Sequence, residues 1–222
     1  MASRLKKCRK LKRMFANGRH RLIVFTDEKI FTVNRVFNRQ NNRATAKNRM
    51  GRLVAARKKF PASVMVWAGI TATGKTPLVF IERGVKIDAK IYQNRVLREV
   101  LHPWARNHFR NRIFYLQQDW ASSHRAKSTI RLCKTLFPNM IDKDVWPSYS
   151  YDLNVMDFAV WGYLEKKACA KKHINVEALK RSLVREWDEI TPRMCATMVD
   201  GFMKRLDACI AAEGGRFEHL LK

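Results

Sequence analysis

The amino-acid sequence predicts an α/β fold in which helices cover the faces of a sheet. Apolar runs typical of buried strands recur along the first two thirds of the chain, and segments with helical spacing follow them. Of the 222 residues, 46% are hydrophobic, which is enough to bury a sizeable core. No apolar run reaches the roughly 18 residues of a membrane-spanning helix and no secretory signal is present, so an intracellular globular protein is expected.

The first predicted strands lie in the N-terminal third. Residues 21–33 predict two short strands around a polar break, with Asp27 at the end of the first strand. Residues 62–70 predict a strand, the sequence TATGKT a turn, and residues 77–84 a returning strand. Together the last two form a predicted hairpin.

Helix and strand alternate in the middle of the chain. Residues 88–109 carry apolar side chains at near-helical spacing, and residues 112–119 predict a buried strand that ends at Asp119. A helix is expected over about 124–137, capped by Ser122 or Ser123. Residues 139–146 predict one more strand.

The C-terminal third is predicted to be helical. Asn154 is a suitable N-cap for an apolar helix that would place Asp157 in its opening turn. Two amphipathic helices follow, one over about 176–190 and one from Thr191 to the glycines at 214 and 215.

Positive charge dominates the composition. The chain has 45 Lys and Arg against 19 Asp and Glu, and the net charge of +26 favours a nucleic acid as partner over an acidic membrane. Residues 1–60 hold 19 of the basic side chains and two acids, Asp27 and Glu28. The run RLKKCRKLKR also fits a solvated face or a nuclear-localisation patch. Residues 34–60 contain no acid and predict a basic insertion with little core.

The five cysteines are scattered, odd in number and never spaced as CxxC. This pattern predicts reduced thiols and indicates neither a disulfide framework nor a zinc site.

Three carboxylates are placed where ligands gather in an open α/β sheet: Asp27, Asp119 and Asp157. Carboxylates brought together there would repel one another unless a divalent cation neutralised them, and oxygen ligands suit Mg²⁺ or Mn²⁺. On a basic surface, such a site fits two-metal phosphodiester chemistry. The alternatives are structural: Asp119 could stabilise a turn, and Asp157 could interact with the helix dipole. His124 and Trp120 are more often packing residues than catalytic ones.

Several motifs occur together in a recognisable order. They are FTDEKIFTV with NRQNNR, VMVWAGI, LQQDWASSHRA, WPSYSYDLNVMDFAVWGYLE and GFMKRLDACIAAEGGRFE. From about residue 10 to the C-terminus, the chain resembles the catalytic domain of mariner-type transposases of the Tc1/mariner superfamily. The resemblance implies an RNase H-like mixed sheet flanked by helices, with C-terminal helices, and a DDE/D metal triad at Asp27, Asp119 and Asp157. The 37 residues between the last two acids are similar to the DD37D branch, and Asp152 belongs to a structural turn.

The resemblance also implies a reaction and partners. A divalent metal, Mg²⁺ or Mn²⁺ in a two-metal site, would support cleavage of transposon-end DNA and strand transfer into target DNA, commonly at TA, by a homodimer in the nucleus. Neither a membrane nor a small-molecule substrate is expected. The predicted organisation is a basic N-terminal helix or tail (1–20), a catalytic domain (21–170) with the insertion at about 34–60, and C-terminal helices packed on the catalytic domain (171–222).

The sequence departs from the family pattern at several positions. Trp120, Ala121 and Ser122 replace a small or polar residue followed by Ala-Pro, and Tyr151 and Val155 replace prolines in the turn before the third acid. The matched region includes no helix-turn-helix module, so recognition of terminal repeats is expected to be absent.

Three functions therefore compete at this stage. The first is a metal-dependent enzyme that cleaves and joins DNA, and the second is a decayed or domesticated relative that binds DNA without cutting it. The third, from a different class, is a basic RNA-associated or ribosomal protein, against which the well-patterned core and the ordered acidic motifs argue.

Overall fold

A mixed sheet of five strands lies at the centre of the described residues, which in this computed structural model are 2–34, 61–81, 88–137 and 139–221. The strands are β1 (Ile23–Thr32), β2 (Ser63–Thr71), β3 (Gly74–Lys75), β4 (Val79–Ile81) and β5 (Tyr115–Gln117). Their order is β3-β2-β1-β5, and β4 also pairs with β2. The β1–β5 pair is parallel and the others are antiparallel, so the mixed sheet expected from the sequence is confirmed.

The first strand is continuous across its polar residues. Asp27 pairs with Ala68 of β2, and Glu28 pairs with Trp67. The prediction of two short strands with a break at Asp27 is therefore wrong, and Asp27 lies within β1 rather than at its end. The pairing with β2 satisfies the backbone of these polar residues, and strand alternation sends the two carboxylates to opposite faces of the sheet.

Seven α-helices occur in the described residues: α1 (Ala2–Met14), α2 (Ala89–Ile91), α3 (His102–Phe109), α4 (Lys127–Leu136), α5 (Trp161–Ala168), α6 (Val176–Asp188) and α7 (Pro192–Ala211). A π-helical segment, Tyr92–Leu101, joins α2 to α3, and a second one, Met156–Val160, leads into α5. The helices predicted over 88–109 and 176–190 and after Thr191 are confirmed. The Thr191 side chain caps α7 by accepting a hydrogen bond from the Met194 amide at 3.3 Å.

Two local predictions are wrong. Helix α4 begins at Lys127 after Ala126, so neither Ser122 nor Ser123 caps it. Residues 139–146 contain a single bridge, between Met140 and Leu116, instead of a full strand. The chain turns there because the Asp142 carbonyl accepts hydrogen bonds from the amides of residues 145 and 146.

The two faces of the sheet bury two separate hydrophobic clusters. The larger contains Phe25 and Phe31 of β1 together with the apolar faces of α6 and α7, and Phe202 of α7 packs on Phe25 with ring centroids 5.1 Å apart. The smaller contains Trp67 and Tyr92 with residues of α3 and α4. The C-terminal helices thus cover one face of the sheet.

The N-terminal helix packs on the last long helix. Cys8 and Leu11 of α1 are fully buried, and Cys8 Sγ lies 3.6 Å from Cys209 Sγ. All five cysteines are free and buried. Within the described part of the chain, no helix is long and apolar enough to cross a membrane. The predicted basic insertion at about 34–60 lies outside the described residues except for residue 34.

Candidate active site

Three acidic side chains reach one cleft from three separate elements. Asp27 comes from β1, Asp119 follows β5 by two residues, and Asp157 lies in the Met156–Val160 segment. Because β1 and β5 are parallel with Phe25 opposite Gln117, Asp27 and Asp119 both lie two residues beyond this pair. All three acids line a cleft with a volume of about 830 Å³.

The environment of the cleft opposes negative charge on Asp27 and Asp157. Burial raises the pKa of Asp27 to about 8, and the neighbouring carboxylates of Asp157, Glu28 and Asp119 add to this effect. Burial also raises the pKa of Asp157 to about 6, although Lys29 acts in the opposite direction. The acids are therefore close enough to repel one another.

Trp161 orients Asp27. Its indole Nε1 donates a hydrogen bond to Asp27 Oδ2 at 2.7 Å, and the indole itself packs edge-on against Phe31 in the larger core cluster. The π-helical turn contributes to this position, because the Trp161 amide donates to the Met156 carbonyl five residues earlier. One Asp27 oxygen is thus held by a buried, neutral donor.

His124 links Asp119 to Glu28. Its Nδ1 lies 2.5 Å from Asp119 Oδ1, and its Nε2 lies 3.2 Å from Glu28 Oε1. Burial acts to lower the pKa of His124, but the two carboxylates outweigh burial and raise the pKa to about 10. Burial also acts to raise the pKa of Asp119, but the hydrogen bond and charge of His124, together with the hydrogen bond from the Ala121 amide, outweigh burial and lower the pKa. His124 therefore carries a positive charge at neutral pH between two carboxylates.

Asn154 connects the turn before the third acid to β1. Its side-chain amide donates to the Thr26 carbonyl at 3.3 Å, and its Oδ1 accepts from the Met156 amide at 3.2 Å. Its backbone carbonyl also accepts from the Asp157 amide at 3.0 Å. Asn154 thus acts as the predicted cap and also fixes the turn to the strand that carries Asp27. These hydrogen bonds hold the turn in which Tyr151 and Val155 stand in place of the prolines of the family pattern.

Aromatic and basic side chains complete the cleft. Trp120 lines it beside Asp119, and its indole N–H is buried without a hydrogen-bond partner among the described residues. Arg125, Lys134 and Lys143 line it as well. A cleft lined by basic side chains as well as these acids suits a phosphorylated, polyanionic ligand.

The three acids do not form a finished coordination sphere. Across the part of the chain that the structure describes, no group of three or more His, Cys, Asp or Glu side chains is arranged to hold a metal ion. Asp119 is engaged by His124, and Asp27 is engaged by Trp161. The acids nevertheless share a cleft, as the sequence predicted, and their assignment as metal ligands stays a prediction.

Sequence reasoning missed the roles of His124, Glu28 and Trp161. The sequence predicts a packing role for His124, and Glu28 is notable in it only as the neighbour of Asp27 in a region otherwise free of acids. No local signal connects Trp161 with Asp27, which lies 134 residues earlier in the chain.

Comparison with known proteins gives a consistent assignment. No protein-family model matches the chain. The Tc3 transposase of Caenorhabditis elegans is 31% identical over 200 residues, which cover 86% of this chain and 56% of that protein. The Tcb2 transposase of Caenorhabditis briggsae is 28% identical over 152 residues, which cover 68% of this chain and 53% of that protein. The chain thus spans about half the length of these curated relatives.

Solved structures of one mariner transposase share the fold. The catalytic domain of the Mos1 mariner transposase aligns with a TM-score of 0.75 at 19% identity and covers 98% of this chain and 95% of that chain. The Mos1 paired-end complex with Mn aligns with a TM-score of 0.81 at 19% identity. This alignment covers 98% of this chain and 63% of that chain. At this identity the likeness establishes the fold alone. The chain is therefore homologous to the Tc1 and Tc3 transposases and has the RNase H-like fold of a mariner-type transposase catalytic domain.

Proposed function

We propose that the chain cleaves the ends of a DNA element and transfers them into target DNA with the help of divalent metal ions. One observation carries this proposal: Asp27, Asp119 and Asp157 reach a single cleft from separate elements of an RNase H-like fold. The relatives are transposases, and the solved neighbours include Mos1 complexes with transposon ends and with Mg or Mn.

The residues of the cleft fit divalent metal ions in their chemistry. All three are hard oxygen donors, the class that Mg²⁺ and Mn²⁺ prefer. Burial and then repulsion by the neighbouring acids raise the pKa of Asp27 to about 8, and a bound cation would offset both effects. We assign the metal ligands to Asp27, Asp119 and Asp157.

The surrounding residues act on these acids. The hydrogen bond from Trp161 fixes one oxygen of Asp27. It thereby sets the orientation of the whole carboxylate, including its other oxygen. His124 restrains Asp119 from one side and is itself held by Glu28. When bound, two metal ions supply activation of the attacking oxygen and stabilisation of the leaving 3′ oxygen.

The basic surface supports DNA as the substrate. Helix α1 exposes Lys6, Arg9, Lys10 and Arg13, which are spaced i, i+3, i+4 and i+7 and therefore form one stripe. Lys7 of the same helix donates to the Trp146 carbonyl at 3.2 Å, which connects α1 to the rim of the cleft. Contacts between the basic stripe of α1 and DNA phosphates would give affinity and salt dependence without sequence preference. A homodimer acting in the nucleus on paired ends is part of the same proposal.

A nicking assay tests the function. Purified protein with Mn²⁺ is expected to nick supercoiled plasmid, and Asp119→Asn is expected to reduce nicking at least 100-fold because it removes a ligand charge. Asp142→Asn is the matched control, since Asp142 is an exposed acid that lines the same cleft and contributes no ligand. Equal nicking by wild type and Asp119→Asn would refute the assignment. Binding of DNA without nicking in any divalent metal would instead identify a non-enzymatic relative.

A further inference from the structure

Two exposed tyrosines stand at the mouth of the cleft. Tyr149 is 89% exposed and Tyr151 is 62% exposed, and both residues line the cleft that holds the three acids. Most tyrosines in folded proteins bury much of the ring, because the ring is largely apolar. Two such rings two positions apart at a charged cleft therefore differ from the scattered apolar residues of an ordinary surface.

The backbone holds Tyr149 in an unfavourable conformation. Its φ is 52°, in the left-handed region that a bulky residue rarely adopts. Glycine or asparagine would occupy this position at lower cost, so the tyrosine is not explained by the turn itself. Strain of this kind persists only where the surrounding structure imposes it.

The segment 146–153, which contains both tyrosines, is anchored in the protein at both ends. Trp146 is 3% exposed and stacks on Phe202 with ring centroids 6.1 Å apart. Ser150 is 4% exposed, and its carbonyl accepts a hydrogen bond from the amide of Leu153, which is fully buried. The turn is therefore fixed on either side of Tyr149, and it presents the ring to solvent instead of folding it back.

We propose that Tyr149 and Tyr151 form a stacking platform for an unpaired nucleobase of the DNA strand whose phosphate lies in the cleft. This inference rests on the proposed function and extends it to the ligand of the cleft mouth. Aromatic side chains bind unpaired bases through their faces, whereas bases within a duplex are already stacked on their neighbours. Arg125, Lys134 and Lys143 line the same cleft and would hold the phosphates next to that base.

Binding to a DNA end with a single-stranded overhang separates stacking from contacts to the backbone. The probe is a duplex with a three-nucleotide 3′ overhang that carries 2-aminopurine, and a blunt duplex of the same sequence serves as reference. Measurements in EDTA prevent cleavage, so the readout is binding and fluorescence quenching. Wild type is expected to bind the overhang more tightly than the blunt end and to quench the 2-aminopurine.

Paired variants assign the effect to the rings. Tyr149→Ala with Tyr151→Ala is expected to weaken overhang binding roughly 10-fold and to abolish quenching, while affinity for the blunt duplex changes less than about twofold. The Phe substitutions at both positions are expected to restore binding and quenching, since they keep the ring faces. Ile174→Ala is the control, because Ile174 is 90% exposed and does not line the cleft. Circular dichroism confirms that each variant is folded.

Two outcomes would overturn the proposal. An equal loss for overhang and blunt duplex in the double Ala variant would show a general DNA contact and no stacking. Unchanged binding and quenching in that variant would show that the tyrosines contribute nothing. Nicking that depends on Asp119 would leave the proposed function intact in both cases, whereas a wild type that binds neither duplex would remove both proposals together.

Discussion

Replacing Asp27 with asparagine is expected to stabilise the metal-free protein while it abolishes activity. The pKa of Asp27 is raised from 3.8 to about 8, first by burial and then by the acids around it. The ionised form is therefore disfavoured in the folded state. Asparagine keeps a carbonyl oxygen that can accept the hydrogen bond from Trp161, and it carries no charge.

The size of the effect follows from the pKa. A shift from 3.8 to about 8 corresponds to roughly 6 kcal/mol against folding when the side chain is ionised in the unfolded chain. Water entering the cleft and rearrangement of the side chains reduce this figure, so we expect a gain of about 2–4 kcal/mol. For a chain of this size that is a rise in Tm of roughly 5–15 °C.

The ionisation of Asp27 determines how the effect of Asp27→Asn on the free energy of unfolding changes with pH. Well below its ordinary pKa of 3.8, Asp27 is protonated in both the folded and the unfolded state, and Asp27→Asn should change the free energy of unfolding little there. The penalty in wild type grows as the pH rises from about 4 to about 8 and is constant above that, so the advantage of the variant should grow over the same range.

Thermal unfolding in EDTA, measured between pH 4 and pH 9, checks this behaviour. The control is Asp142→Asn, which alters an exposed acid of the same cleft and should shift Tm by no more than about 2 °C. Added Mn²⁺ should raise the Tm of wild type more than that of Asp27→Asn. If Asp27→Asn were less stable than wild type at pH 8 in EDTA, the carboxylate would not be under electrostatic strain and the reasoning would fail.

Three further outcomes are expected. Trp161→Phe removes the indole N–H that reaches Asp27, so calorimetric titration should show Mn²⁺ binding weakened about 10-fold; unchanged affinity would mean that the bond does not position the acid. Phe202→Ala leaves a cavity in the larger core cluster and should lower the free energy of unfolding in urea by about 3–5 kcal/mol, whereas a loss below about 1 kcal/mol would contradict the packing. Replacing Arg9 and Lys10 of α1 with alanine should reduce the salt dependence of DNA binding by about 1.8 in the slope of log K against log salt; an unchanged slope would exclude this helix from the DNA contact.

Sequence patterns predicted the class of fold and the elements that carry the acids. They misplaced Asp27 because a pair of acids in an apolar run is typical of a strand end, whereas here the partner strand β2 extends the pairing through both residues. They also predicted a strand over 139–146, where backbone hydrogen bonds to Asp142 form a turn. The first error arises from pairing with a strand that is distant in sequence. The second arises from local backbone hydrogen bonds, which the pattern of hydrophobic residues does not indicate.

The candidate site was only partly accessible from the sequence. The three acids could be proposed because each lies in or next to an element that the sequence pattern predicts. The residues that hold them could not, since His124 and Trp161 reach their partners through tertiary packing of a buried imidazole and a buried indole. Side chains of this kind have the same signature in sequence as ordinary core residues.

The widened helical turn at Met156–Val160 makes the spacing between Asp157 and Trp161 sensitive to single-residue deletions. Each residue of an α-helix advances the chain by about 100° around the axis. Deleting one residue from the widened turn would give a regular and more favourable helix, yet it would rotate the indole by that angle away from Asp27. Because the same indole packs on Phe31 in the larger core cluster, shortening at this place would remove a core contact together with the hydrogen-bond donor of one acid, so the orientation of Asp27 and the packing of the core depend on the same turn.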